Sequence, residues 1–180
     1  MNKFDLSHAY HFREHAFIKH LVLKQYLQKL FMIVGQHQDE LVYVDCFAGP
    51  WSAANDGKLE DTSIGIALET MQSCKTTLDR MRSYPIKFRA LFIERDQSAF
   101  MCLQRFLSSS TPDGIKSDCL KGDFVELRTE ILERCGKRAF VFFFIDPKGW
   151  KDIKPSILKP LLIRPNSEYL INWLFSDICG

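Results

Sequence analysis

The sequence predicts a doubly wound α/β domain built on a parallel sheet, and three observations carry that expectation. Five short apolar runs alternate with stretches of helical periodicity, the pattern of successive βαβ units. Two of the runs, Leu41-Val42-Tyr43-Val44 and Ala139-Phe140-Val141-Phe142-Phe143-Phe144-Ile145, are apolar at every position, as suits strands covered by helices on both sides. Each of the two then stops at an acid and a turn: Asp45-Cys46-Phe47-Ala48-Gly49-Pro50 after the first, Asp146-Pro147-Lys148-Gly149-Trp150 after the second. In an open α/β sheet ligands bind outside the carboxyl ends of the strands, so these turns mark the candidate site.

The elements follow in order. Residues 16–34 carry Phe17, Leu21, Leu23, Tyr26, Leu27, Leu30 and Phe31 at helical spacing with Lys19, Lys24, Gln28 and Lys29 between them, which predicts an amphipathic helix ahead of the first strand. Strand one is expected at 41–46. Residues 52–61 form a polar loop, after which Thr62 or Ser63 caps a helix from Ile64 to about Leu78. Strand two is Phe88–Ile93, ending in Glu94-Arg95-Asp96, and a helix through Phe100, Leu103 and Leu107 follows. Thr111-Pro112-Asp113-Gly114 reads as a turn, and a short third strand near 118–121 leads into Gly122-Asp123-Phe124. A helix over 125–135, strand four at 139–145, a helix near 155–162 and strand five at 169–175 complete the pattern. The expected sheet order is 3-2-1-4-5, with residues 1–40 a helical extension packed on the single domain formed by 41–180. Sheets of this kind ordinarily continue beyond strand five, so the 180 residues are expected to be a fragment, or a short member of a longer-chain family.

Composition narrows the function classes. One domain is the default for 180 residues, and 46% hydrophobic with 26% charged content describes a globular chain. A net charge of +2 makes no general electrostatic case for nucleic acid. No apolar run reaches the length of a membrane span, and Met1-Asn2-Lys3-Phe4-Asp5 does not open a signal peptide, so no membrane partner and a cytoplasmic location are expected. The six cysteines lack Cys-x-x-Cys or Cys/His zinc spacing and read as buried thiols in a reducing compartment, with no metal site. All five histidines fall within the first 37 residues, which argues against a hydrolase with a late histidine base.

Four acids, Asp45, Glu94, Asp123 and Asp146, stand at predicted strand ends and are expected to converge on one crevice, the alternative being that each caps the next helix. Ala48 and Gly49 leave little side-chain bulk in the first turn, where a ligand could approach the backbone. The glycine patterns that cradle pyrophosphate are missing, which disfavours a nicotinamide-binding dehydrogenase or a nucleoside-triphosphate enzyme. At Asp146-Pro147-x-Gly149-Trp150 a carboxylate and the Pro147 carbonyl can both accept from an exocyclic amine while Trp150 stacks on the ring that bears it; the alternative is a strand-to-helix turn with Trp150 covering the core. Lys148, Lys151, Lys154, Lys159 and Arg164 flank this turn, either as a solvated helix face or as phosphate contacts.

Tyr43-Val44-Asp45-Cys46-Phe47-Ala48-Gly49-Pro50 resembles the three-Cys-motif partner (TcmP) proteins, bacterial proteins with a class I S-adenosylmethionine (SAM) methyltransferase-like fold. The likeness extends through Lys19-His20, Leu23-x-x-Tyr26-Leu27, Ile66-Ala67-Leu68-Glu69, Phe92-Ile93-Glu94-x-Asp96, Gly122-Asp123-Phe124, Phe144-Ile145-Asp146-Pro147-x-Gly149-Trp150 and Leu170-Ile171-Asn172-Trp173. More distantly, the same order is similar to the RlmJ-type ribosomal RNA adenine-N6 methyltransferases. The resemblance implies that His20, Asp45, Phe47 and Gly49, with Ala48 and Pro50 of the same turn, surround the methionine part of SAM. It gives Ser63 a supporting contact, Glu94 the ribose hydroxyls, Asp123 and Phe124 the adenine, and Asp146 and Pro147 the amine to be methylated. Three positions depart from the pattern: Trp51 stands where the family has a second glycine, Asp61-Thr62-Ser63 where it has Gly-Ser-Pro, and Lys148-Gly149 where the adenine enzymes have Pro-Tyr. The expected activity is SAM-dependent methyl transfer to an exocyclic amine of a DNA or RNA base. The alternative is a non-catalytic SAM-fold protein that partners a three-Cys-motif protein.

Overall fold

In the computed structural model, residues 14–49, 62–147 and 154–172 are described. The elements are α1 (Glu14–Val34), β1 (Glu40–Asp45), α2 (Ser63–Met81), β2 (Lys87–Glu94), α3 (Gln97–Ser110), β3 (Ile115–Lys121), α4 (Phe124–Cys135), β4 (Phe140–Ile145), α5 (Pro155–Leu162) and β5 (Ser167–Ile171). Among the described residues the five strands form one sheet in the order β3-β2-β1-β4-β5, and every neighbouring pair is parallel. This is a Rossmann-like α/β fold with the expected strand order.

The all-apolar strands are central because both of their faces need cover. Leu41 and Tyr43 of β1 and Phe142 and Phe144 of β4 point into one core with Leu23, Leu27 and Phe31 of α1 and Met71 and Leu78 of α2. Val42 and Val44, with Val141, Phe143 and Ile145, point into a second core with Phe124 and Ile131 of α4 and Leu158 and Leu161 of α5. The alternation is the strand period of two, and it sets α1, α2 and α3 on one side of the sheet and α4 and α5 on the other. α1 therefore belongs to the main core: Leu23, Leu27 and Phe31 have almost no exposure. Aromatic contacts knit this layer, with Tyr43 stacked on Phe142 at 5.9 Å and Phe31 edge-on to Phe88 at 5.4 Å.

Helix ends follow their capping residues. Thr62 caps α2, its Oγ1 accepting from Gly65 N at 3.1 Å, which leaves Ser63 free for another partner. Asp96 caps α3 through Ala99 N and Asp123 caps α4 through Val125 N. Gly136 closes α4 at φ +74, a conformation that favours glycine. Pro155 opens α5 at a position where its missing N–H costs nothing.

Two strands depart from their expected bounds by more than one residue. β3 begins at Ile115, three residues before the expected start, because it is an edge strand: Lys116 and Asp118 remain hydrated and only Ile115 and Leu120 are buried, so polarity hid it. β5 begins at Ser167 rather than 169, and its expected end at 173–175 lies outside the described residues. Its start is set by Arg164, whose Nη1 donates to the carbonyls of Pro165 and Asn166 and whose Nη2 donates to those of Gly136 and Ala139. Arg164 is thus committed to backbone carbonyls and is not a free phosphate contact. Lys148 and Lys151 lie outside the described residues.

Candidate functional site

The strand order reverses between β1 and β4: the chain proceeds outward through β2 and β3, then crosses back to β4. Such a switch point opens a crevice at the carboxyl ends of the two strands. Asp45 and Asp146 stand there, and the neighbouring β2 ends in Glu94.

Asp45 is completely buried. Its Oδ1 accepts from Phe47 N at 3.1 Å and its Oδ2 from Ser63 Oγ at 2.7 Å, with the Tyr43 hydroxyl at 3.5 Å. Burial pushes its carboxyl up to about 6; the bonds from Ser63 and Phe47 pull downward, the charge of Asp146 adds to the rise, and Lys19 opposes it. The same environment raises the neighbouring Tyr43 hydroxyl and Cys46 thiol well above their ordinary values, chiefly by burial and then by the Asp45 charge. Cys46 is accordingly a protonated core thiol and not a nucleophile. Cys74 and Cys135 are buried like it, whereas Cys102 and Cys119 are half-buried, so the expectation of buried thiols fails at those two; Cys179 lies outside the described residues.

The turn after β1 is tied to β2, Ala48 N donating to Ile93 O at 2.8 Å. Glu94 is 7% exposed, and its Oε1 accepts from Asp96 N at 2.6 Å. Its Oε2 lies against Gly49 so closely that a Cβ there would stand 1.7 Å from it. The absent side chain at Gly49 therefore admits the Glu94 carboxylate, where the sequence suggested only room for a ligand. The turn after β3 joins the same cluster, with Gly122 N donating to Glu94 O at 3.0 Å and Phe47 packed on Phe124 at 5.2 Å between centroids.

Asp146 accepts from two side chains: Lys19 Nζ on Oδ2 and Asn172 Nδ2 on Oδ1, the latter at 2.7 Å. The resemblance places Lys19, beside His20, among the motifs that line the site and includes Asn172, but the residues alone do not pair either of them with Asp146. Lys19 lies 127 positions from Asp146, a distance no local pattern spans. Asn172 left a signal, since it is the polar residue that closes the fifth apolar run as the acids close the others.

The expected residues therefore divide. Asp45, Ser63, Phe47, Ala48, Gly49 and Glu94 come together at the ends of β1 and β2, and Asp146 is coupled to them through the charges felt by Asp45. Asp123 joins through its backbone neighbours, but its Oδ1 caps α4 at 2.8 Å, so the helix-cap alternative is realised there. Phe124 is 2% exposed and packs in the core beneath Phe47. His20 is half-buried on α1, directly after Lys19. Pro147 ends its described segment, and Pro50 and Trp150 lie outside the described residues. Among the described residues no group of three or more His, Cys, Asp or Glu side chains could hold a metal ion, and no helix is long and apolar enough to cross a membrane.

Two buried carboxylates, Asp45 and Glu94, thus face the first turn, and a Cβ at Gly49 would displace that of Glu94. No protein family profile matches the chain, and no curated protein matches it. Five solved chains match. One, described as "Loganic acid methyltransferase with SAH", shares 14% identity at a TM-score of 0.40 over 81% of this chain. The chain spans 39% of that protein's length.

Proposed function

We propose that this chain is a SAM-dependent methyltransferase whose acceptor is an exocyclic amine of a nucleic-acid base, in DNA or RNA. The observation that carries the reading is the Glu94 carboxylate, held by Asp96 N at the end of β2 and seated against Gly49 at the switch point. A carboxylate at that strand end is placed to accept from the two hydroxyls of a ribose. Asp45, one strand over and fixed by Phe47 N and Ser63, supplies negative charge for the cationic methionine end.

SAM, when bound, supplies a methyl group activated on a sulfonium. The chain's own residues would position the acceptor. An aryl amine is a weak nucleophile because its lone pair is delocalised into the ring. Accepting its N–H hydrogens at Asp146 localises that pair and stabilises the positive charge that develops on nitrogen. Each carboxylate oxygen has two lone pairs, so Asp146 can take an amine hydrogen while Lys19 and Asn172 remain bonded. The remaining contribution is alignment of acceptor nitrogen and methyl donor. A base inside a duplex must flip out or be presented single-stranded.

A second reading has one observation in its favour. Both Asp146 oxygens already have partners within the chain, as suits a site that binds without transferring. In that reading the chain is a non-catalytic SAM-fold partner of a three-Cys-motif protein. The deciding experiment incubates the protein with methyl-labelled SAM and separate pools of single-stranded DNA, duplex DNA and RNA, then digests and identifies labelled nucleosides. Label on an exocyclic nitrogen supports the enzyme; SAM binding with no label in any pool supports the non-catalytic partner.

A further inference from the structure

We propose that the outer edge of β3 is held shut against a second copy of this chain by Asp118, whose carboxylate takes a backbone N–H that a docking strand would need. None of this depends on whether the chain binds SAM.

β3 ends the sheet among the described residues, so one side of its backbone has no strand beside it. The register with β2 identifies the groups on that side. Gly122 N donates to Glu94 O, and Glu94 lies opposite Lys121, so Lys116, Asp118 and Leu120 turn their backbone groups towards β2. Ile115, Ser117, Cys119 and Lys121 therefore turn theirs outward. Such a row of unpaired N–H and C=O groups is a template for a strand of another chain, and the identical edge of a second copy is the strand that accompanies every molecule in solution.

Two of these four outward N–H groups are already bonded within the chain: Ile115 N donates to Pro112 O at 3.1 Å, and Cys119 N donates to Asp118 Oδ1 at 2.8 Å. The first is a turn bond at the start of the strand. The second is made in mid-edge by a side chain that is 57% exposed and could equally point into water. Arg134 of α4 keeps it there, donating through Nη1 to Asp118 Oδ2. Glu130, one turn earlier on α4, holds the same guanidinium through Nε at 3.1 Å and Nη2 at 3.0 Å. An ion pair this exposed adds little stability, but it orients the carboxylate and leaves Oδ1 to the strand. The carboxylate withdraws a donor from the edge and sets a charge where an incoming carbonyl would come. Lys116 and Lys121, both exposed, flank it on the same strand. By contrast, among the described residues no side chain accepts from the outward N–H groups of β5, at Ser167, Tyr169 and Ile171.

The test compares wild type, Asp118→Ala, Asp118→Asn and Glu130→Gln, each as the full chain. Amide exchange at Cys119 is followed by NMR in dilute solution, and self-association by sedimentation velocity over rising concentration. Asp118→Ala removes the acceptor, and exchange at Cys119, relative to its intrinsic rate, is expected to quicken roughly three- to tenfold. Its mean sedimentation coefficient is expected to rise with concentration more steeply than that of wild type. Asparagine keeps an oxygen for Cys119 N, so Asp118→Asn should stay close to wild type in both measurements. Glu130→Gln removes one negative charge from the same cluster without removing the acceptor, and it too should stay close to wild type. Should Asp118→Ala not fold, Arg134→Met, which leaves the carboxylate unsteered, carries the same comparison. Unchanged exchange at Cys119 in folded Asp118→Ala overturns the proposal. Faster exchange with no added self-association overturns it as well, because the bond would then keep no second copy away. Equal association in Asp118→Ala and Glu130→Gln also overturns it, since loss of charge alone would then be the cause.

Discussion

Replacing Asp45 with Asn should stabilise the protein at neutral pH while impairing the site. The folded-state value of Asp45 is raised to about 6 from an ordinary 3.8. A carboxyl raised in the folded state contributes stability that is fully present below the unfolded value and lost as pH rises through the folded one. Two pH units correspond to about 3 kcal/mol, withdrawn between about pH 4 and pH 6 and absent above. Asparagine keeps the shape, lets its oxygen accept from Phe47 N and turns its amide towards Ser63 Oγ, which can reverse from donor to acceptor. It carries no charge to desolvate. Urea unfolding of both proteins at several pH values provides the comparison, with linear extrapolation to water. The stability of Asp45→Asn relative to wild type should grow by about 2 kcal/mol between about pH 4.5 and pH 8. A difference independent of pH, or one that shrinks as pH rises, would refute the claim that the ionised carboxylate is held there at a cost. Such a cost is what a functional charge in a buried place requires.

Two further substitutions probe the turn and the acceptor end. Gly49→Ala places a Cβ 1.7 Å from Glu94 Oε2, so the carboxylate must leave its seat; SAM affinity by calorimetry should fall roughly ten- to a hundredfold, the size of a lost charge-assisted bond pair. Asp146→Ala should abolish transfer while leaving SAM affinity within a few-fold of wild type, since its partners are Lys19 and Asn172 and not the residues of the first turn. Parallel loss of binding and transfer would move Asp146 to the cofactor side.

The fold was largely legible because its core strands are extreme. The run Phe140–Ile145 has no polar position, and so short a segment between turn residues suits a strand covered on both faces. The bounds failed where exposure restores polarity: at Lys116, Ser117 and Asp118 of edge strand β3, and at Ser167 and Glu168 of β5. The site was legible as a row of strand-end acids, yet the row does not act alike. Asp123 has the same sequence signature as Asp45, but its carboxylate turns back to cap α4, while Asp45 accepts from the neighbouring helix α2. That choice depends on which helix packs beside each strand end, which residue types alone do not state. What the sequence did not show is that Lys19 reaches Asp146. Its spacing fits the polar stripe of an amphipathic helix, and only the packing of α1 over the sheet brings it to the end of β4.

The central claim is that the switch-point carboxylates form a SAM site, and calorimetric titration of SAM into wild type and Glu94→Gln tests it most directly, with NAD as the control ligand. Glutamine preserves the size of the side chain and its bond from Asp96 N but removes the charge that a ribose would use. Saturable binding of SAM to wild type, a drop of roughly tenfold or more in Glu94→Gln and no binding of NAD are the predicted results. Equal SAM affinity in the two folded proteins, or no binding to wild type at all, would contradict the assignment of this crevice to SAM.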